Sequence, residues 1–111
     1  MMAEGDSPSE FHADPRGTWK TRATALDDWL DETGAPPPDL VKIDVEGSDD
    51  AVLRGGARTL ATCRPWIQLS VHGQRQRGEC ARLLVGWGYR LSSLERDTPL
   101  EVSSEWRADP T

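Results

Sequence analysis

The stretch Leu40-Val41-Lys42-Ile43-Asp44-Val45-Glu46-Gly47 limits what this chain can fold into. Val41, Ile43 and Val45 alternate with Lys42 and Asp44, the period of two that marks a strand. Leu40 widens the apolar run, as expected for a strand covered on both faces. Pro36-Pro37-Pro38 cannot be helical and gives the strand a sharp start. Gly47 ends it. Ser48-Asp49-Asp50 then reads as a helix N-terminus, with Ser48 as the N-cap and the acids suited to the helix dipole. The chain thus runs from strand to acidic tip to helix. In an open α/β sheet, ligands bind at the carboxyl ends of strands. Asp44 and Glu46 sit there, two residues apart. In continued strand geometry both point to the same side.

The remaining chain is expected to build around that strand in order. Residues 1–17 hold Ser, Pro, Asp, Glu and Gly and read as a disordered leader that includes His12. Residues 18–24 suggest a short strand with Trp19 inward. Thr24-Ala25-Leu26-Asp27 resembles a capping box. Leu26, Trp29 and Leu30 mark one face of a helix stopped at Gly34. A helix over residues 49–62 carries Val52, Leu53, Ala57 and Leu60. Gly55-Gly56 inside it suggests close helix–sheet packing. Trp66 to Gly73 is a second strand, with Ile67, Leu69 and Val71 on one face. A polar loop over 74–78 leads to a helix over 79–87 marked by Cys80, Leu83, Leu84 and Trp87. Tyr89-Arg90-Leu91 starts a third strand. Residues 100–106 form an edge-like fourth strand, and the end of the chain is a tail. Strands alternating with helices predict βαβ units and an α/β fold with a mainly parallel sheet, helices on both faces, and right-handed crossovers. The domain is expected over 18–106, with 107–111 as tail.

Composition narrows the partners. The formal charge of −6 leaves no basic face for phosphates, so nucleic acid is not an expected partner. No apolar run approaches the ~20 residues of a membrane helix. Residues 1–14 are polar and acidic, without the apolar segment of a secretory signal. A soluble cytoplasmic protein is therefore expected. Cys63 and Cys80 form no framework and read as reduced, partly buried thiols. The tryptophans at 29, 66 and 87 fit core positions.

Several strings then come together at matching spacing. They are Leu26-Asp27-Asp28-Trp29-Leu30, Pro38 through Gly47, Val52-Leu53-Arg54-Gly55, Arg64-Pro65 and Val71-His72. Together they resemble the C-terminal half of an FkbM-type methyltransferase, over residues 24–94. The resemblance implies a class I methyltransferase fold, partial and doubly wound, in which residues 40–45 are the fourth strand and 66–72 the fifth. It also implies S-adenosyl-L-methionine as cofactor and O-methylation of a small-molecule hydroxyl as the activity. The family's glycine-rich cofactor loop and ribose-binding acid have no counterpart here. Ser70 stands where the family often has Glu. The chain is therefore expected to be a truncated product or one piece of a split domain. Strand four normally pairs with strand one, so its edge is expected to lie open and to favour self-association or a partner chain.

Asp44, Glu46 and His72 are the candidate catalytic residues, and Asp44 and Glu46 the candidate cofactor contacts. In methyl transfer, alignment of the reacting atoms carries much of the rate. A carboxylate or an imidazole that takes the hydroxyl proton adds general-base help. The competing readings are structural: Asp44 capping the next helix or pairing with Lys42, and His72 bonded to backbone. Asp44, Glu46, Asp49, Asp50 and His72 offer oxygen-rich ligation of the Mg²⁺ type. The string matches no EF-hand loop, and no metal is assigned from sequence. The alternative to an enzyme is a catalytically inactive fragment, or an interaction module that uses its open sheet edge.

Overall fold

The computed structural model describes residues 9–11 and 21–111. Within the expected leader, Ser9–Phe11 is a strand, β1, paired antiparallel with β2, Thr21–Ala23. The rest of that leader, with His12, and the start of the strand expected over 18–24, with Trp19, lie outside the described residues. Helix α1 spans Leu26–Thr33 and stops at Gly34, whose φ of 68° suits the left-handed stop that glycine adopts without strain. Strand β3, Leu40–Ile43, leads to α2, Asp49–Gly55, and α3, Ala57–Thr62. Strand β4, Trp66–Ser70, leads through α4, Gln74–Gly86, to β5, Tyr89–Ser93, and β6, Glu105–Pro110.

The main sheet has the order β3-β4-β6-β5. Only β3 and β4 pair parallel; β6 is antiparallel to both of its neighbours. The expectation of a mainly parallel sheet is thus corrected to a mixed one. The α4 crossover leaves a gap between β4 and β5, and the returning β6 fills it. The expected edge-like strand over 100–106 is likewise corrected. Pro99 to Val102 forms a turn, with Val102 N–H donating to Pro99 O at 3.1 Å. The strand begins at Glu105 and takes in most of the expected tail. Its Trp106 and Ala108 are buried, which is why it lies inside the sheet and not at its edge.

One sheet face carries the core. Ile43, Ile67, Leu69, Val71, Tyr89, Trp106 and Ala108 are buried there with Leu53 of α2, Leu60 of α3 and Cys80 and Leu84 of α4. The opposite face shows exposed Leu40 and Trp66, registered side by side, and Lys42 beside Gln68. Arg107 pairs in register with Gln68 and Ser92, and Asp109 with Arg90. Among the described residues, then, the helices cover one face, not two, and Leu40 is 64% exposed. Trp29 and Trp66 are also exposed, at 44% and 48%, contrary to the expected core positions; among the described residues Trp106 is buried, and Trp87 packs half-buried against the core as expected. Trp66 instead lies against the Arg107 guanidinium, 5.9 Å from its ring centroid.

The helix expected over 49–62 breaks at Gly56, where a side chain would meet Leu26 of α1 at 3.0 Å. Close packing is present, but between helices and not against the sheet. Gly56→Val should therefore force Leu26 out of its seat and lower stability by about 1–3 kcal/mol, measurable by urea denaturation. A variant as stable as the parent would refute this account of the break.

The capping box expected at residues 24–27 is absent. Ala25 is the N-cap, without a side-chain bond. Asp27 reaches α3 instead: Oδ1 accepts from Thr59 N–H (3.0 Å) and Thr59 Oγ1 (2.6 Å), and Oδ2 from Arg58 N–H (2.9 Å). Arg64 ties β4's entry to the end of α4. Its guanidinium donates to the carbonyls of Trp87, Gly88 and Thr111 and lies 5.3 Å from the Tyr89 ring centroid.

Candidate functional site

The pairing of β3 with β4 decides which loops meet. Two parallel neighbours end at the same edge of the sheet, so the segment after Ile43 and the segment after Ser70 emerge together. Strand geometry ends at Ile43, and residues 44–47 form the exit. Ser48 N–H donates to Val45 O at 3.1 Å across a turn where Gly47 has φ 82°. A side chain at that φ would be strained, which is why glycine serves there. On the neighbouring strand, buried Val71 is pinned by its N–H to Ser104 O at 3.0 Å, and His72 follows it.

This geometry brings the three candidate residues together. One ligand-capable atom each of Asp44, Glu46 and His72 lies within 4.8 Å of the others, and all three residues are exposed. Among the described residues none of them takes part in a salt bridge. The expected meeting of Asp44 and Glu46 on one side holds, although a turn and not a continued strand produces it.

Beneath the tip lie Asp49 and Asp50, fully buried and 5% exposed. Ser48 is the N-cap of α2 but its hydroxyl makes no capping bond, so the expected cap is corrected. Asp50 is fully engaged. Gln76 Nε2 donates to its Oδ1 at 2.8 Å and Arg54 Nη1 to its Oδ2 at 2.7 Å; Arg75 approaches at 3.4 Å. The Asp50 N–H donates back to Gln76 Oε1 at 3.0 Å, clamping α2 to α4. Burial alone would raise its carboxyl, but the bonds from Gln76 and Arg54 overcome that and bring it down to about 2.

Asp49 is the opposite case. Neither carboxylate oxygen finds a partner of hydrogen-bonding geometry. Burial pushes its carboxyl up to about 6, opposed by its own backbone N–H and by His72, and aided by Asp44 and Asp50. Asp49 therefore shares a field with two members of the exposed trio. The sequence places it only as a first-turn acid; its lack of a partner is a three-dimensional fact. Nearby Cys80 is buried, with its thiol pushed up to about 12 by burial and by Asp49 and Asp50, so it is an inert core thiol; Cys63 is exposed.

A cleft of about 260 Å³ opens between α4 and the turn before β6, lined by Gln74, Arg77, Ala81, Leu100 and Trp106. It starts two residues after His72. No helix among the described residues is long and apolar enough to cross a membrane.

Comparison with known proteins adds one match. A family model described as the methyltransferase FkbM domain matches residues 2–93. No curated protein and no solved structure gives a significant match.

Proposed function

The chain belongs to the FkbM methyltransferase domain family, and from that premise we propose that it takes part in S-adenosyl-L-methionine-dependent O-methylation of a small-molecule hydroxyl. The observation that carries this reading is the meeting of Asp44, Glu46 and His72 at the shared carboxyl edge of β3 and β4. Ligands of open α/β sheets bind at that edge. The donor set suits the cofactor. A sulfonium and an ammonium group are cationic, and Asp44 and Glu46 are exposed carboxylates without a salt bridge among the described residues. When bound, the cofactor supplies a methyl group on positively charged sulfur. The chain's own task is then to hold an acceptor oxygen in line with that methyl and to take its proton. Alignment is the larger contribution. Asp44 and Glu46 position the acceptor hydroxyl, and the His72 imidazole accepts its proton. The bound cofactor would supply the methyl group, and the proton released from the acceptor would go to His72.

A second reading rests on a different observation. Among the described residues β3 pairs on one side only. An open strand edge invites another chain. On this reading the domain is half a site, and a second copy or an upstream segment completes it or uses the edge as an interaction surface.

Calorimetric titration with S-adenosylhomocysteine, on a sample sized by light scattering, separates the two. Saturable sub-millimolar binding that weakens at least fivefold in Asp44→Ala and Glu46→Ala supports the enzyme, and acceptor screening with His72→Ala follows. Absence of binding by protein shown to be folded and self-associated sinks it in favour of the second reading.

A further inference from the structure

We propose that Asp44, Glu46 and His72 hold one divalent cation of the Mn²⁺ or Mg²⁺ class, with the buried Asp49 carboxylate as a fixed negative charge beneath it. Two observations carry this, and neither depends on the other. The first is geometric. The three ligand atoms lie within 4.8 Å of one another. Around an octahedral ion at ~2.1 Å, neighbouring ligand atoms stand about 3 Å apart and opposite ones about 4.2 Å. Small rotations of exposed side chains therefore suffice to close the set. The second is the buried, unpartnered carboxylate of Asp49. A buried charge is ordinarily paired or coordinated to a metal. Every other strongly buried carboxylate function nearby is satisfied, since Asp50 has Gln76 and Arg54. After burial and its own backbone N–H, His72 and Asp44 of the trio are among the charged groups that act on the Asp49 carboxyl. Three carboxylates around one imidazole leave a net negative pocket, with no salt-bridge cation on Asp44, Glu46 or Asp49 among the described residues.

The ligand types name the ion. Carboxylate oxygens favour hard cations, and one imidazole shifts the preference from Mg²⁺ toward Mn²⁺. Three ligands on an exposed edge leave positions for water and for an acceptor oxygen. Binding of the ion stands on the residues alone; its use, holding and acidifying an acceptor hydroxyl, rests on the methyltransferase reading, with the ion then replacing His72 as the group that lowers the hydroxyl's proton affinity and the proton leaving to water.

The test is titration of the full chain with MnCl₂, followed by the loss of the free-ion paramagnetic resonance signal, and repeated with MgCl₂ as competitor. The expected result is one saturable Mn²⁺ site per chain, tighter for Mn²⁺ than for Mg²⁺. Asp44→Asn and His72→Ala, both exposed positions, should each raise the Mn²⁺ dissociation constant at least tenfold, and Asp49→Asn severalfold. A remote exposed change, Glu32→Gln, should leave it unchanged. No saturable binding at millimolar Mn²⁺ by protein with native circular dichroism overturns the proposal. So does binding that survives Asp44→Asn and His72→Ala unaltered. Titration of the same sample with S-adenosylhomocysteine keeps the two readings apart. Mn²⁺ bound without the homocysteine ligand retains the ion site and removes the methyltransferase reading; the ligand bound without Mn²⁺ does the reverse.

Discussion

Asp27→Ala is expected to lower the unfolding free energy by about 2–3 kcal/mol, while Asp28→Ala costs under ~0.5 kcal/mol. The two acids are adjacent and both lie in the first turn of α1. Their work differs. Asp28 is exposed and contributes a dipole effect of a few tenths of a kilocalorie. Asp27 crosses to the start of α3, a helix of six residues that is marginal without tertiary support. The first N–H groups of any helix have no partner within it. Here Gly56 is the N-cap and offers no side chain, so Asp27 takes the N–H groups of Arg58 and Thr59 from another helix. It also holds the hydroxyl of Thr59, a residue 4% exposed. Alanine would leave the hydroxyl and the N–H of buried Thr59 unsatisfied at once, and hand the exposed Arg58 N–H to water. Denaturant midpoints of the two variants decide the matter. Equal, small shifts would mean that the bridge is worth little.

The second large effect is a contrast between neighbours, measured with chelator present so that no cation intervenes. At pH 7.5, Asp50→Asn should destabilise the protein by about 2–3 kcal/mol and Asp49→Asn should stabilise it by a similar amount. The folded Asp50 carboxyl is held at about 2, below its ordinary value of 3.8. Its contribution is therefore complete above about pH 4 and disappears as pH falls toward 2. The folded Asp49 carboxyl is raised to about 6. The folded state then binds that proton more tightly than the unfolded chain does. Stability is lost as pH rises from about 4 through 6, when the buried group must charge. The benefit of Asp49→Asn should accordingly be small at pH 4 and full at pH 7.5. Thermal melts at the two pH values check both signs. A destabilising Asp49→Asn at pH 7.5 would mean the carboxylate has an undetected partner.

The site was more legible in the sequence than the sheet. Alternation of Val41 and Ile43 with Lys42, and the glycine at 47, were enough to place Asp44 and Glu46 at a strand's exit. Ile67, Leu69 and Val71 did the same for His72. Parallel pairing of the two strands then follows from the intervening helical segment. What the sequence concealed depends on distant residues. Pairing of Asp27 with Thr59 spans 32 positions and looks locally like a helix cap. Asp49 and Asp50 are the same residue type side by side; Arg54, four residues past Asp50, is a local partner, but the clamp by Gln76 from another helix is what the sequence hides. The last strand was hidden because Arg107, Asp109 and Pro110 are poor strand formers; Arg107 and Asp109 lie on the open face, while Pro110 registers with buried Tyr89 on the side of Trp106 and Ala108. The more apolar-looking Leu100 and Val102 belong to a turn.

The position of β6 between β4 and β5 also fixes an order of events during synthesis. A ribosome that has released the first hundred residues has exposed two strands that cannot join each other, since the strand that belongs between them is not yet made. Until residues 105–110 appear, β4 has β3 alone beside it and β5 has no partner in the sheet. The buried side of β4, with Ile67 and Leu69, then lacks Trp106 and Ala108 across from it. Closure of the main sheet consequently waits for residues 105–110, and before they appear the nascent segment carries sticky, half-built strands that chaperones are suited to shield.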